Sequence, residues 1–250
     1  DLKCARLQQQ AATGGAGDAA AATNGSAAAS GHGDADASMR LAVATNSEQL
    51  KLFSPHDGMT CQLLTGHTDV ILALDISYNG KLIASSSKDT TARIWRTEDG
   101  VCLAACHGHI EAVGAVSFAK RSPWLLTGSK DKTTKLWDIA GVPHAPTPNP
   151  TATPEPQQKK RKKDKDADKP SVATGKDGLI RPSTRSTTIG HTKEINGLAI
   201  APNDKVAASA SQDRTVHLWS LEGGALKDIG VLKGHKRAVW CVNFPPIDKL

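Results

Sequence analysis

The chain has 250 residues, is 38% hydrophobic and carries a formal charge of +6, which allows one or two domains with an ordinary core. Its apolar stretches reach only about seven residues, too few for a membrane-spanning helix. The five cysteines (Cys4, Cys61, Cys102, Cys106 and Cys241) are odd in number and scattered, which argues against a disulfide framework and for a reducing compartment.

The charge is unevenly placed. Residues 141–188 hold ten Lys/Arg against five Asp/Glu, so the other segments are close to neutral. Both ends of the chain fall inside repeating units, so the sequence reads as a piece of a longer polypeptide.

In chain order, residues 1–7 read as a short strand. Residues 8–38 are almost entirely Ala, Gly, Ser, Thr, Asn and Gln, and such a segment buries too little to offset its ordering entropy. Strands are expected at 41–45, 49–53 and 61–64, separated by Asn46-Ser47 and Pro55-His56-Asp57-Gly58 turns. A second group of four is expected near 70–76, 81–86, 91–95 and 101–105. A third group opens with 112–118, 124–128 and 133–137. Six prolines then crowd residues 142–156, followed by the basic run Lys159, Lys160, Arg161, Lys162 and Lys163. Pro fixes φ and lacks an N–H, so this stretch favours extended, unpaired chain. A strand at 185–189 resumes the pattern, and 194–200, 205–210, 215–219 and 226–232 form a fourth group. Residues 240–244 would open a fifth.

The segment 66–96 explains this rhythm. It carries Gly66-His67, then Ser85, Asp89 and Trp95, and the same residue types recur at the same offsets from His109 and His191. The second set is Thr127, Asp131 and Trp137; the third is Ser209, Asp213 and Trp219. Gly-His pairs are 42 residues apart between His67 and His109, and 44 between His191 and His235. That period is the length of a four-stranded propeller blade. In the first group Phe53, Ser47 and Val43 occupy the Trp, Asp and hydroxyl places, so its polar set is lost. The expected fold is therefore all-β: a propeller fragment of about four blades, with incomplete terminal blades and two low-complexity loops. Boundaries fall at 1–140 for the first blades, 141–185 for the Pro- and Lys-rich insert, and 186–250 for the continuation.

A buried Trp needs an acceptor for its indole N–H. The Ser or Thr hydroxyl supplies it while donating to His, and His donates to Asp, so every member is satisfied. His67, Ser85 and Asp89 also have the composition of a catalytic triad. Three copies, each tied to a Trp that only structure requires, argue instead for scaffold. No catalytic, cofactor or metal site is expected. Cys102, Cys106, His107 and His109 do have metal-binding side chains, but His109 already belongs to the repeat.

The Gly-His, Ser/Thr-x3-Asp and Trp spacing resembles the WD40-repeat family, which implies a β-propeller. Only Trp137-Asp138 carries the family's Trp-Asp pair; Trp95-Arg96 and Trp219-Ser220 do not. A narrower resemblance lies in Leu41-Ala42-Val43-Ala44-Thr45-Asn46, Ser211-Gln212-Asp213-Arg214-Thr215 and Trp240-Cys241-Val242-Asn243-Phe244. These are similar to a group of tandem-propeller subunits of the nucleolar small-subunit processome. That resemblance implies a non-enzymatic scaffold acting in pre-18S rRNA processing. Its partners would be other protein subunits of a large ribonucleoprotein, with U3 small nucleolar RNA and pre-rRNA reached indirectly. It implies no cofactor, membrane or small-molecule substrate. The basic run 159–163 is a candidate nuclear or nucleolar address, with a solvated charge run or an RNA-phosphate patch as alternatives. The competing function is a substrate receptor or adaptor of a ubiquitin-ligase or chromatin complex. The Arg expected three places after Trp in many such receptors is absent: Ala140, Glu98 and Glu222 stand there.

Overall fold

The computed structural model describes residues 3–6, 40–54, 61–145, 174–175 and 177–245. They form four antiparallel sheets of four strands each, and within every sheet spatial order follows chain order. The first blade contains β1 (Lys3–Arg6), β2 (Leu41–Ala44), β3 (Leu50–Phe53) and β4 (Cys61–Leu64). The second contains β5 (Ile71–Ile76), β6 (Leu82–Ser87), β7 (Ala92–Arg96) and β8 (Cys102–Cys106). The third contains β9 (Val113–Phe118), β10 (Trp124–Ser129), β11 (Thr133–Asp138) and β12 (Ser183–Ile189). The fourth contains β13 (Ile195–Ile200), β14 (Val206–Ser211), β15 (Val216–Ser220) and β16 (Lys227–Leu232).

The opening strands lie side by side: β5 packs on β1 and β2, β9 on β5 and β6, and β13 on β9 and β10. This radial stacking is why the second strands are apolar or small on both faces. Every residue of β6 is buried, and its small Ala84, Ser85, Ser86 and Ser87 let neighbouring blades approach. The core is consequently laminated between blades. Leu50, Leu52 and Leu64 of the first blade meet Ile71, Ile83 and Trp95 of the second. Leu82, Ile94 and Ala104 of the second meet Phe118, Leu125 and Trp137 of the third. Leu126 and Leu136 of the third meet Ile200, Ala207 and Trp219 of the fourth.

Each Trp is aimed by the same device. The register shifts between Ile94 and Trp95, Leu136 and Trp137, and Leu218 and Trp219. A bulge at that place twists the strand and redirects the ring. The ring then lies under the Gly of the Gly-His pair. A Cβ on Gly190 would approach Trp219 Cη2 to 2.5 Å, while Gly108 has φ +137° as well as Trp137 beneath it.

Carboxylates join neighbouring blades. Asp75 accepts from the N–H of Phe118 at 2.7 Å. Asp204, in the β13–β14 turn, accepts from the N–H groups of Lys120, Arg121 and Ser122 at 2.6–2.7 Å. Burial pushes the Asp75 carboxyl upward despite these donors.

Three sequence expectations need correction. The insert boundary at 141–185 is too wide, because parts of it belong to the propeller. Val142 is buried in the core between the second and third blades, with Ala145 and Ile180 packed against that cluster. Ile180 pairs with Ala104 of β8, exchanging backbone hydrogen bonds with Leu103 and Ala105 at 3.0 Å. An aliphatic side chain that completes a core pulls its backbone onto the free edge of β8. The outer strand also begins at Ser183, two residues earlier than expected. Finally, residues 240–244 form no strand, because no following strand exists among the described residues to pair with them. Val239, Val242 and Phe244 still pack on the fourth blade.

The expected low-complexity loop at 8–38 and the basic run at 159–163 lie outside the described residues. Among the described residues, no helix is long and apolar enough to cross a membrane.

Candidate functional site

The repeated polar set is assembled three times with nearly one geometry. In the second blade, Trp95 Nε1 donates to Ser85 Oγ at 2.8 Å, and that hydroxyl lies 2.8 Å from His67 Nε2. His67 Nδ1 lies 2.7 Å from Asp89 Oδ2. In the third blade the distances are 2.8 Å for Trp137 to Thr127, 2.8 Å for Thr127 to His109 and 3.0 Å for His109 to Asp131. In the fourth they are 2.8 Å for Trp219 to Ser209, 2.7 Å for Ser209 to His191 and 2.9 Å for His191 to Asp213. An indole N–H can only donate, so the hydroxyl proton points to His Nε2 and the His proton sits on Nδ1, toward Asp.

Two further hydroxyls in each blade were not anticipated from the sequence. Thr91, Thr133 and Thr215 follow the Asp by two residues, and each donates to its Oδ1. Ser87, Ser129 and Ser211 precede it by two; each accepts the Asp N–H and donates to carbonyls leading into the inner strand of its own blade. Both offsets are constant across the copies, which is the signal that would have revealed them. Each carboxylate also accepts the N–H after its His: Thr68, Ile110 and Thr192 at 3.0–3.1 Å. The first blade replaces the set with a smaller one, in which the Thr45 and Ser47 hydroxyls lie 3.1 Å apart.

This geometry does not fit nucleophilic catalysis. Ser85, Thr127 and Ser209 are completely buried, and each oxygen already bonds a Trp and a His. A nucleophile must be able to reach its substrate. The thiols are likewise poor thiolate ligands: burial pushes Cys102 and Cys106 upward. Among the described residues, no three metal-binding side chains cluster. The set works as internal cross-bracing, tying the loop before each inner strand to the β-turn one sheet edge away. The candidate address residues Lys159, Lys160, Arg161, Lys162 and Lys163 lie outside the described residues.

Burial alone would raise the Asp carboxyls, but hydrogen bonds outweigh it. Asp131 is lowered from 3.8 to about 2 by Thr133, Ile110 and His109 together, and Asp89 and Asp213 are lowered as well. Burial lowers His109 and His191 from 6.5, against the pull of their Asp partners. The signs agree. A depressed Asp contributes stability above its unfolded value and loses it as pH falls toward the folded one; a depressed His loses its contribution as pH falls below 6.5. The urea midpoint should therefore decline gently below about pH 6.5 and steeply below about pH 4, and Asp131→Asn should flatten the lower limb.

The family described as WD domain, G-beta repeat matches residues 49–96, 100–138 and 183–220. The chain is 40% identical to transducin beta-like protein 3 of Rattus norvegicus over 205 residues, which is 81% of this chain and 22% of that protein. The human protein of the same name is 39% identical over 212 residues, with the same coverage. U3 small nucleolar RNA-associated protein 13 of Saccharomyces cerevisiae is 34% identical over 212 residues, 82% of this chain and 23% of that protein. The chain thus spans about a fifth of the length of these relatives.

Proposed function

The chain belongs to the WD40-repeat family, and from that premise we propose that it acts as a non-enzymatic scaffold in ribosome small-subunit assembly. The place of action would be the nucleolar small-subunit processome, and the process pre-18S rRNA maturation. One observation carries the reading: the similarity over about four-fifths of the chain to the transducin beta-like proteins and to a yeast protein named for U3 small nucleolar RNA. The geometry is compatible with it, since the polar residues that could have formed an active site are consumed in bracing the blades. Braced blades offer rigid strands and many exposed turns, the usual carriers of protein contacts. Partners would be other protein subunits of a large ribonucleoprotein.

The basic run 159–163 serves in this reading as the nuclear address. Replacing all five residues with Gln should cut nuclear accumulation severalfold in fluorescence microscopy, with the unfolding curve unchanged. Undiminished nuclear signal would assign the run another role. Depletion tests the function itself. Accumulation of unprocessed 18S precursor is expected, whereas normal rRNA with a stabilised ubiquitin-ligase substrate would favour the receptor reading.

A further inference from the structure

β8 is the outer strand of the second blade, yet it is built as interior. Its Ala104, Ala105 and Cys106 are 0%, 1% and 2% exposed. The outer strands β12 and β16 contain no buried residue, and β4 contains only Leu64. Composition follows burial. β4 carries Gln62, β12 carries Arg185, and β16 carries Lys227 and Asp228, polar side chains of the kind that discourage pairing with a stray strand. β8 reads Cys-Leu-Ala-Ala-Cys and has no such guard.

Its cover is a short piece of the same chain. Residues 177–181 pass alongside β8 in parallel, and Ile180 pairs with Ala104. Ile180 N–H donates to Leu103 O, and Ala105 N–H donates to Ile180 O, both at 3.0 Å. The Ile180 side chain packs on the core between the second and third blades, where Val142 and Ala145 also lie. The edge therefore offers an extended segment two things: backbone groups in register and an apolar place for one aliphatic side chain.

The hold on residues 177–181 is slight. Among the described residues, two backbone hydrogen bonds attach them to β8. Leu179 O and Gly178 N–H are turned the other way, both bonded to Gly175 at 2.9 and 3.0 Å. Gly178 has φ +75°, so this is a tight turn carrying a very short strand pair, which is marginal by itself. The Arg181–Asp177 ion pair is 36% and 43% exposed and adds little. Covalent attachment does the rest. β12 begins at Ser183, so Ile180 is always close to β8 and needs little intrinsic affinity to pair with it.

We propose that the β8 edge accepts a strand from a partner protein and that residues 177–181 occupy the edge in its place until the partner arrives. The segment already seated there defines the ligand. It is extended and parallel to β8, with an aliphatic residue at the place of Ile180 and a backbone N–H, hence no proline, at that residue. The seated segment sets a threshold, because a partner gains access only for the fraction of time that the edge is open. A segment held nearby within a multi-subunit assembly meets that threshold more easily than one free in solution. The inference goes beyond the scaffold function by stating how a partner docks, and the purified chain tests it whatever complex the protein serves.

The probe is a fluorescein-labelled peptide with the sequence of residues 177–183, followed by anisotropy against the full chain and its Ile180→Asp variant. A carboxylate does not enter the apolar contact, so the substitution releases the seated segment. Ile180→Asp should bind the peptide about tenfold or more tightly than the parent, the ratio for an edge open a tenth of the time or less. Ile180→Ser, a milder release, should fall between them. A peptide methylated on the nitrogen of Ile180 cannot donate to Leu103 O and should not bind. Hydrogen exchange reads the edge without any ligand: the Ala105 amide should exchange faster in Ile180→Asp, while β10 amides stay protected. Equal affinity for parent and both variants would overturn the proposal, as would a methylated peptide that binds like the plain one. Fast Ala105 exchange without peptide binding would also overturn it, leaving residues 177–181 as an edge guard alone. Unchanged Ala105 exchange would make them a permanent part of the sheet and overturn it too.

Discussion

Trp137→Ala should destabilise the propeller by about 3–5 kcal/mol, the range for removing a large aromatic from a packed core. The ring is 1% exposed and wedged between the second and third blades among Leu82, Phe118 and Leu125. Its loss opens a cavity that flanking strands cannot close, because both are fixed by sheet hydrogen bonds. It also removes the indole N–H that Thr127 accepts at 2.8 Å. Trp137→Phe separates the two effects: most apolar area stays, and the smaller loss, about 1–2 kcal/mol, reports the missing donor. Urea unfolding should rank the proteins wild type, Trp137→Phe, Trp137→Ala. Equal stability of the last two would mean that the donor, not the ring volume, dominates. The first blade indicates how the set can be dispensed with. Phe53 stands in the Trp place and Val43 in the hydroxyl place, so neither leaves an unmatched polar group.

Asp204→Ala should cost about 2–4 kcal/mol, although Asp204 lies outside every repeated position. Its carboxylate receives three consecutive N–H groups, from Lys120, Arg121 and Ser122, and it is 7% exposed. Each orphaned donor costs about 1–3 kcal/mol, with water recovering part of it. Asp204 also has φ 57°, a conformation that Asp tolerates better than Ala. Asp204→Asn keeps that tolerance and one acceptor oxygen, so its loss should be smaller. Hydrogen exchange is the sensitive readout. The 119–123 loop should exchange faster in Asp204→Ala, while Phe118, held by Asp75, stays protected. Uniform acceleration across all blades would show that the clamp is not local.

Most of the fold was legible in the sequence because it is written locally and repeatedly. Alternating apolar residues between turns placed the strands of the second to fourth blades within about a residue or two. The constant offsets of His67, Ser85, Asp89 and Trp95 mark the members of the polar network. What escaped was non-local or looked ordinary. Asp204 follows Asn203 in a turn-like stretch, and nothing nearby shows that its acceptors face another blade. Ile180 sits beyond the proline- and lysine-rich stretch, and its partner β8 belongs to the preceding blade; only the apolar gap between blades selects it. The Thr at 91, 133 and 215 was readable, since it recurs, but a Thr after a turn Asp also reads as a strand former. Trp240 reads as a strand residue by analogy, but among the described residues 240–244 carry no strand pairing.

We propose that the braced propeller serves as a scaffold in a ribosome-assembly complex. Affinity purification of the tagged protein from cells tests it most directly, with co-purifying proteins identified by mass spectrometry and RNA by sequencing. Recovery of small-subunit processome proteins together with U3 small nucleolar RNA and pre-18S rRNA is expected. Recovery of a ubiquitin ligase or chromatin complex, with neither processome proteins nor pre-ribosomal RNA, would contradict it.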